Sequence, residues 1–251
     1  MMIPLEKLTA EPYASIICYP QATRAELRKR IGELRKLGVF ALDFVGEKQI
    51  FNVRVLGKGC VGIVVLAHGN SGRVALKIRR VDADRSRMQR EAKLLQRANS
   101  VSVGPKLLGV SRNFLLMQFI EGTLFVDWIK NRRSKTRIKA MLREVLEQCW
   151  RLDRVGLDHG ELSHAPKHVI VDRKGKPFIV DFESASLNRR PSNVTSLCQF
   201  FFLAGETAET LGRKLGAIDR GMVVEALRHY KKDRTFENFE EALAALRLQT
   251  T

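Results

Sequence analysis

The chain has 251 residues, 45% hydrophobic and 28% charged, with 18 Gly and 7 Pro, a globular composition that excludes a disordered, collagen-like or disulfide-dependent scaffold. Lys and Arg number 44 against 27 Asp and Glu, and the resulting net charge of +17 favours polyanionic partners such as nucleic acid, nucleotide phosphates or acidic protein. Cys18, Cys60, Cys149 and Cys198 form no C-x-x-C pair, the N-terminus lacks a basic segment followed by an apolar run, and no stretch of ~18 apolar residues occurs. Reduced thiols, a cytoplasmic location and no membrane partner are expected.

Along the chain, Thr23 and Glu26 form a capping-box pattern ahead of Leu27, Ile31, Leu34 and Leu37, which predicts an amphipathic helix ending near Gly38. Residues 1–48 thus read as an N-terminal helical extension. From about residue 50 the pattern shortens to Val- and Ile-rich runs, with His68 to Gly72 as a hairpin-like turn, predicting a small antiparallel sheet. Ser86 to Gln89 reads as a second capping box, with Met88, Ala92 and Leu95 on one face of a helix lasting to about Ala98. Two strand-like runs, around 107–111 and 113–119, close a β-rich segment spanning 49–119. In 120–251, Ile138, Met141, Leu142, Val145, Cys149 and Leu152 mark a long helix closed by Gly156. Short strands near 169–172 and 178–181 and several helical patterns between 192 and 247 complete an α+β chain.

Three sets of residues carry chemistry. Gly57, Gly59 and Gly62 form G-x-G-x-x-G-x-V, in which missing side chains let backbone N–H groups approach phosphate oxygens. A strand-like run follows where a dinucleotide-binding fold would have a helix, so the loop joins two strands. A hairpin turn without a ligand explains it equally well on its own. Lys77 ends Val74-Ala-Leu-Lys, and Glu91 shares a helix face with Met88, Leu94 and Leu95, placing a carboxylate where it can pair with a strand lysine; a solvated amphipathic edge is the alternative. Finally, His159, His164 and His168 cluster before a strand-like Val-Ile-Val, and Asp181-Phe-Glu183 ends a second short strand. Glu161, His164 and His168 also admit a two-histidine, one-carboxylate iron or zinc centre, or histidines that only satisfy buried backbone groups.

The order of glycine loop, lysine, helix glutamate, long helix, histidine-rich loop and Asp-Phe resembles that of protein-kinase-like enzymes over about residues 50–185. Without an A-P-E motif or a long segment after Asp181, the chain is similar to the compact archaeal kinase-like group related to the Rio and Bud32 atypical kinases. The resemblance implies a bilobal protein-kinase-like fold, with a small antiparallel-sheet N-lobe and a helical minimal C-lobe. It implies ATP with Mg²⁺, or Mn²⁺, as cofactors and a protein acceptor for the phosphoryl group. Lys77 would hold the phosphates and Glu91 hold Lys77; Met117 would stand behind adenine, with backbone groups of Gln118 to Ile120 as the hinge. Asp181 would bind the metal, Lys167 would face the transferring phosphate, and Glu161 would stand as the base where the family has Asp. His168 falls two residues beyond the family's metal-binding Asn, and imidazole is a poor Mg²⁺ ligand. The extra methylene of Glu161 moves its carboxylate by roughly an ångström, enough to cost ~100-fold in rate. An atypical Ser/Thr kinase is therefore expected, with a nucleotide-binding pseudokinase or slow ATPase switch acting on RNA or ribonucleoprotein as the alternative.

The positive charge concentrates in two places. One is Lys130, Arg132, Arg133, Lys135, Arg137, Lys139 and Arg143; the other is Arg24, Arg28, Lys29, Arg30, Arg35 and Lys36 on the first predicted helix. Both suit sequence-independent contacts to RNA phosphates, or a simple solvated surface.

Overall fold

A computed structural model describes residues 2–84, 86–131, 134–164 and 166–249. The chain divides into two compact units, Met1–Gln96 with Pro105–Phe119, and Arg97–Gly104 with Ile120–Thr251. Arg132 and Arg133 of the expected basic run lie outside the described residues.

The first unit contains, in order, β1 (Met2–Pro4), α1 (Tyr13–Ile17), α2 (Arg24–Lys36), β2 (Val39–Asp43), β3 (Lys48–Ile50), β4 (Val53–Val55), β5 (Gly57–Lys58), β6 (Gly62–Gly69) and β7 (Gly72–Arg79). α3 (Ser86–Asn99), whose last three residues count with the second unit, β8 (Leu107–Val110) and β9 (Phe114–Gln118) follow. Seven strands form one antiparallel sheet, ordered β1-β2-β6-β7-β9-β8 with β5 paired to β6, while β3 and β4 make a separate hairpin. The long β6–β7 hairpin turns through Asn70 and Ser71, with Gly69 opposite Gly72. Alternate apolar residues of β6 and β7, including Ile63, Val65, Val74, Leu76 and Ile78, enter a core shared with Leu8, Ile17 and Leu34 from the N-terminal segment.

Residues 1–48 are therefore more than a helical extension, because β1 and β2 are strands of the main sheet. Period reading finds α2, whose Thr23 hydroxyl accepts from the Glu26 amide as expected of a cap. It misses β1 and β2, which are too short to show alternation. The second expected cap differs more. Ser86 starts α3 and donates through its amide and hydroxyl to Asp84, while the Gln89 side chain donates to the Ser111 carbonyl.

The second unit continues with β10 (Gly122–Leu124), α4 (Phe125–Trp128), α5 (Lys135–Arg154), β11 (Val169–Asp172), β12 (Pro177–Ile179), α6 (Asn193–Cys198), α7 (Gly205–Leu215), α8 (Arg220–Lys232) and α9 (Phe236–Ala245). A single turn of π-helix, Gln199–Leu203, follows α6. The three strands form an antiparallel sheet ordered β10-β11-β12, so the run after Gln118 supplies a strand that periodicity did not reveal. The apolar stripe of α5, with Ile138, Leu142, Val145, Cys149 and Leu152 all buried, makes it the central helix of this unit. Trp150 stacks on Phe239 and Phe125 packs on Phe201, closing the core with side chains of α9 and the π turn.

None of the described helices is long and apolar enough to cross a membrane. The four cysteines are free; Cys18, Cys149 and Cys198 are buried and Cys60 is exposed.

Candidate active site

Within the first unit, the sheet brings the glycine loop and the lysine strand together. Gly57 pairs with Val64 across β5 and β6, and Lys77 lies opposite Val64 on one side and Leu115 on the other. The tip is closed by the Gly59 amide donating to the Gly62 carbonyl at 2.8 Å. Gly62 is required by packing, since a Cβ there would stand 2.7 Å from the Ile78 carbonyl oxygen. Lys77 Nζ donates to both carboxylate oxygens of Glu91, at 2.9 and 2.8 Å, with each side chain only 5% exposed. That pairing favours the inward reading of Glu91 over a solvated helix edge. The orientation follows from α3, whose buried Met88, Ala92 and Leu95 lie on the same side as Glu91.

Met117 is half-buried opposite Ala75, and Gln118 is exposed. The Gln118 amide donates to the Lys106 carbonyl at 2.8 Å, so that hinge donor is already engaged within the sheet. Ile120 is half-buried and belongs to the second unit.

Within the second unit, the loop from α5 to β11 is held by a polar network centred on Asp153. Its buried carboxylate accepts from the Asn193 amide and side chain, the Val194 amide and the Tyr230 hydroxyl. Burial pushes the Asp153 carboxyl up against these bonds, which hold it down. Asn193 passes the constraint on, donating to the Leu157 carbonyl and accepting from the His159 amide at 2.8 Å. His159 Nε2 lies 3.0 Å from the Val180 carbonyl, one residue before Asp181. Burial, then the charge of His168, pushes the His159 imidazole down to about 4, so it is neutral near pH 7 and its Nε2–H donates to Val180. Its ring packs on His168 and Phe182, with centroids 5.2 Å away in each case.

At Gly160, φ is +91° and a Cβ would stand 2.8 Å from the Ser184 carbonyl oxygen, so glycine is needed between His159 and Glu161. Arg189 braces this turn from outside, donating to Asp158 at 2.8 Å and to the Ser184 carbonyl at 2.6 Å. The Glu161 carboxylate accepts a hydrogen bond from the Ser184 hydroxyl and stands 2.9 Å from His168 Nε2. The His168 contact has ion-pair distance without hydrogen-bond alignment, leaving both ring nitrogens without a formal hydrogen-bond partner. The Ser184 bond holds the Glu161 carboxyl below the usual range against burial, with help from His168 and Lys167 and opposition from Asp181. Lys167 is exposed beside it. Asp181 is exposed at φ +69°, in the left-handed region, directly before the buried Phe182. Few residues other than glycine adopt this conformation, and Asp is among those that do so most readily.

The structure thus joins Lys77 to Glu91, and Glu161 to His168. It does not join His164 to them, since that ring is exposed and Nδ1 contacts the Ser163 hydroxyl. Among the described residues no group of three or more His, Cys, Asp or Glu side chains could hold a metal ion, which removes the two-histidine, one-carboxylate centre. Sequence reading missed Asp153, Asn193, Arg189 and Ser184. Asp153 had a signal: it is a carboxylate on the apolar stripe of α5, four residues after Cys149. The basic surface also needs correction, because Arg30 is fully buried and Arg143 is paired with Glu147 and Glu240.

A family model for the RIO domain matches residues 70–198, a span that contains Lys77, Glu91, Glu161, His168 and Asp181. An uncharacterized protein of Methanocaldococcus jannaschii is 26% identical over 118 residues, covering 46% of this chain and 99% of that protein. With a kinase-like α+β fold and the motifs in their expected order, the chain belongs to the RIO domain family of atypical kinase-like proteins.

Proposed function

We propose that this protein is an ATP- and Mg²⁺-dependent phosphotransferase, an atypical Ser/Thr protein kinase acting on a protein acceptor in the cytoplasm. The buried two-point pairing of Lys77 with Glu91 carries this reading. Two desolvated charges contribute little to stability compared with apolar packing, so their retention in a kinase-like chain is best explained by the need to present an ammonium to phosphate. Gly57 and Gly59 lack side chains that would keep phosphate away from the loop backbone, Gly62 keeps the loop close to β7, and Met117 borders adenine.

A carboxylate suits a hard cation, and Asp181 is exposed on a backbone turned into the left-handed region. His168 suits it poorly, because its buried imidazole already faces Glu161. Mg²⁺, or Mn²⁺, would neutralise charge on the phosphates. Glu161 orients the acceptor hydroxyl and takes its proton, while Lys167 places a positive charge beside the transferring group.

One observation favours a second reading, a slow ATPase or nucleotide-binding switch with RNA or ribonucleoprotein as partner. The Glu161 carboxylate accepts from Ser184, and that bond holds its carboxyl below the usual range, which weakens it as a base. The two readings separate in an assay of labelled γ-phosphate with and without protein acceptors. Transfer to Ser or Thr that disappears in Asp181→Ala supports the kinase; ATP binding with release to water alone supports the switch.

A further inference from the structure

We infer that the solvent face of α2 forms a second anion site, one that takes a small ligand bearing adjacent phosphate groups. A cavity of roughly 500 Å³ opens there, within the first unit and independent of the kinase reading. Its rim carries the exposed cations Arg28, Lys29, Lys36 and Arg112, and its floor includes the buried Arg79. Among the described residues, none of the four rim cations has an ion-pair partner.

The two acids of the lining are already engaged. Glu26 accepts from Arg30 at 2.9 Å, and Glu33 accepts from the Ser111 hydroxyl and from the amide and side chain of Asn113. The rim therefore presents four cations without ion-pair partners against two carboxylates that are turned to other donors, a surplus of positive charge that attracts an anion. Arg28 and Lys36 are eight residues apart on one helix, about 12 Å along its axis, so they can grip separate phosphates of one compact ligand. The lining holds no aromatic side chain on which a base could stack. Its volume is that of a small-molecule site. These features favour an oligophosphate over a nucleic-acid strand. Arg79 lies two residues beyond Lys77 on β7, so an occupant would touch the strand that carries the lysine.

Gly32 provides a test that leaves the fold alone. It lies within α2 and lines the cavity, and a Cβ there would meet nothing within 4 Å. Gly32→Glu would place a carboxylate among the rim cations, and Gly32→Ala is the control; both residues are better helix formers than glycine. Calorimetric titration of the full chain with sodium tripolyphosphate, without divalent metal and at low salt, should show binding in wild type. Affinity should stay within about twofold in Gly32→Ala and fall about tenfold or more in Gly32→Glu and in Arg28→Ala/Lys36→Ala. Signal from phosphate bound at Lys77 would persist in these variants, so a loss assigns the site to α2. Unchanged affinity in Gly32→Glu, or no binding by wild type, overturns the proposal. Tighter binding of a single-stranded RNA 12-mer than of tripolyphosphate, lost in Gly32→Glu, also overturns it in favour of a polymer.

Discussion

Glu161 has one oxygen accepting from the Ser184 hydroxyl and the other 2.9 Å from His168 Nε2. Its length therefore matches its partners, and restoring the shorter Asp expected from the family pattern should break both contacts. Glu161→Asp is expected to lower kcat, and Glu161→Gln to lower it about 100-fold or more, with KM for ATP changing far less. A faster Glu161→Asp enzyme would show that the longer side chain is a defect. His159 makes a second expectation. Its folded pKa of about 4 lies below the usual 6.5, so at pH above 6.5 both folded and unfolded forms are neutral and nothing is lost. Between pH 6.5 and 4 the unfolded chain binds the proton that the folded protein refuses, and stability should fall by about 3 kcal/mol. Urea unfolding across that range checks it, and His159→Gln should remove most of the slope.

At the scale of elements, α2 is fastened to the sheet by its apolar face, by Glu33 and by the buried Arg30. Arg30 donates to the Ile17 and Arg79 carbonyls at 2.8 and 2.6 Å and to Asn113 at 3.2 Å, while Glu26 accepts from it. Arg30→Leu would take the guanidinium away from the buried Ile17 and Arg79 carbonyls while Asn113 Oδ1 still accepts from Arg79, and a loss of about 2–4 kcal/mol is expected in denaturant unfolding. Long periodic elements such as α2, α5 and the β6–β7 hairpin were legible in the sequence because each buries one continuous face. The Lys77–Glu91 pair was legible for the same reason: its helix face and strand position are both periodic. The contribution of β1, β2 and β10 was not, since three to five residues give too few alternations and pairing with distant strands decides them. Nor was the Asp153–Asn193–His159 chain, whose members are up to 40 residues apart and are brought together only by packing of α5 against α6. Arg30 shows the opposite error, a basic residue assigned to the surface by its type and buried by its partners.

At the scale of the molecule, the N-terminal 48 residues complete the sheet of the first unit. A chain of residues 49–251 would expose the β6 edge and lose Leu8, Ile17 and Leu34 from the core. It should show no cooperative thermal transition for the first unit; a transition within about 5 °C of the full chain would mean that the segment is dispensable. Phosphoryl transfer from ATP is the activity on which the kinase reading stands. It is tested most directly by transfer of labelled γ-phosphate from ATP in the presence of Mg²⁺, measured side by side for wild type, Lys77→Met and Asp181→Ala, with circular dichroism to verify folding. Transfer by wild type that falls at least about 100-fold in both folded variants is the expected result. Undiminished transfer by either one would contradict the assignment of Lys77 to the phosphates or Asp181 to the metal, and with it the reading of this protein as a kinase.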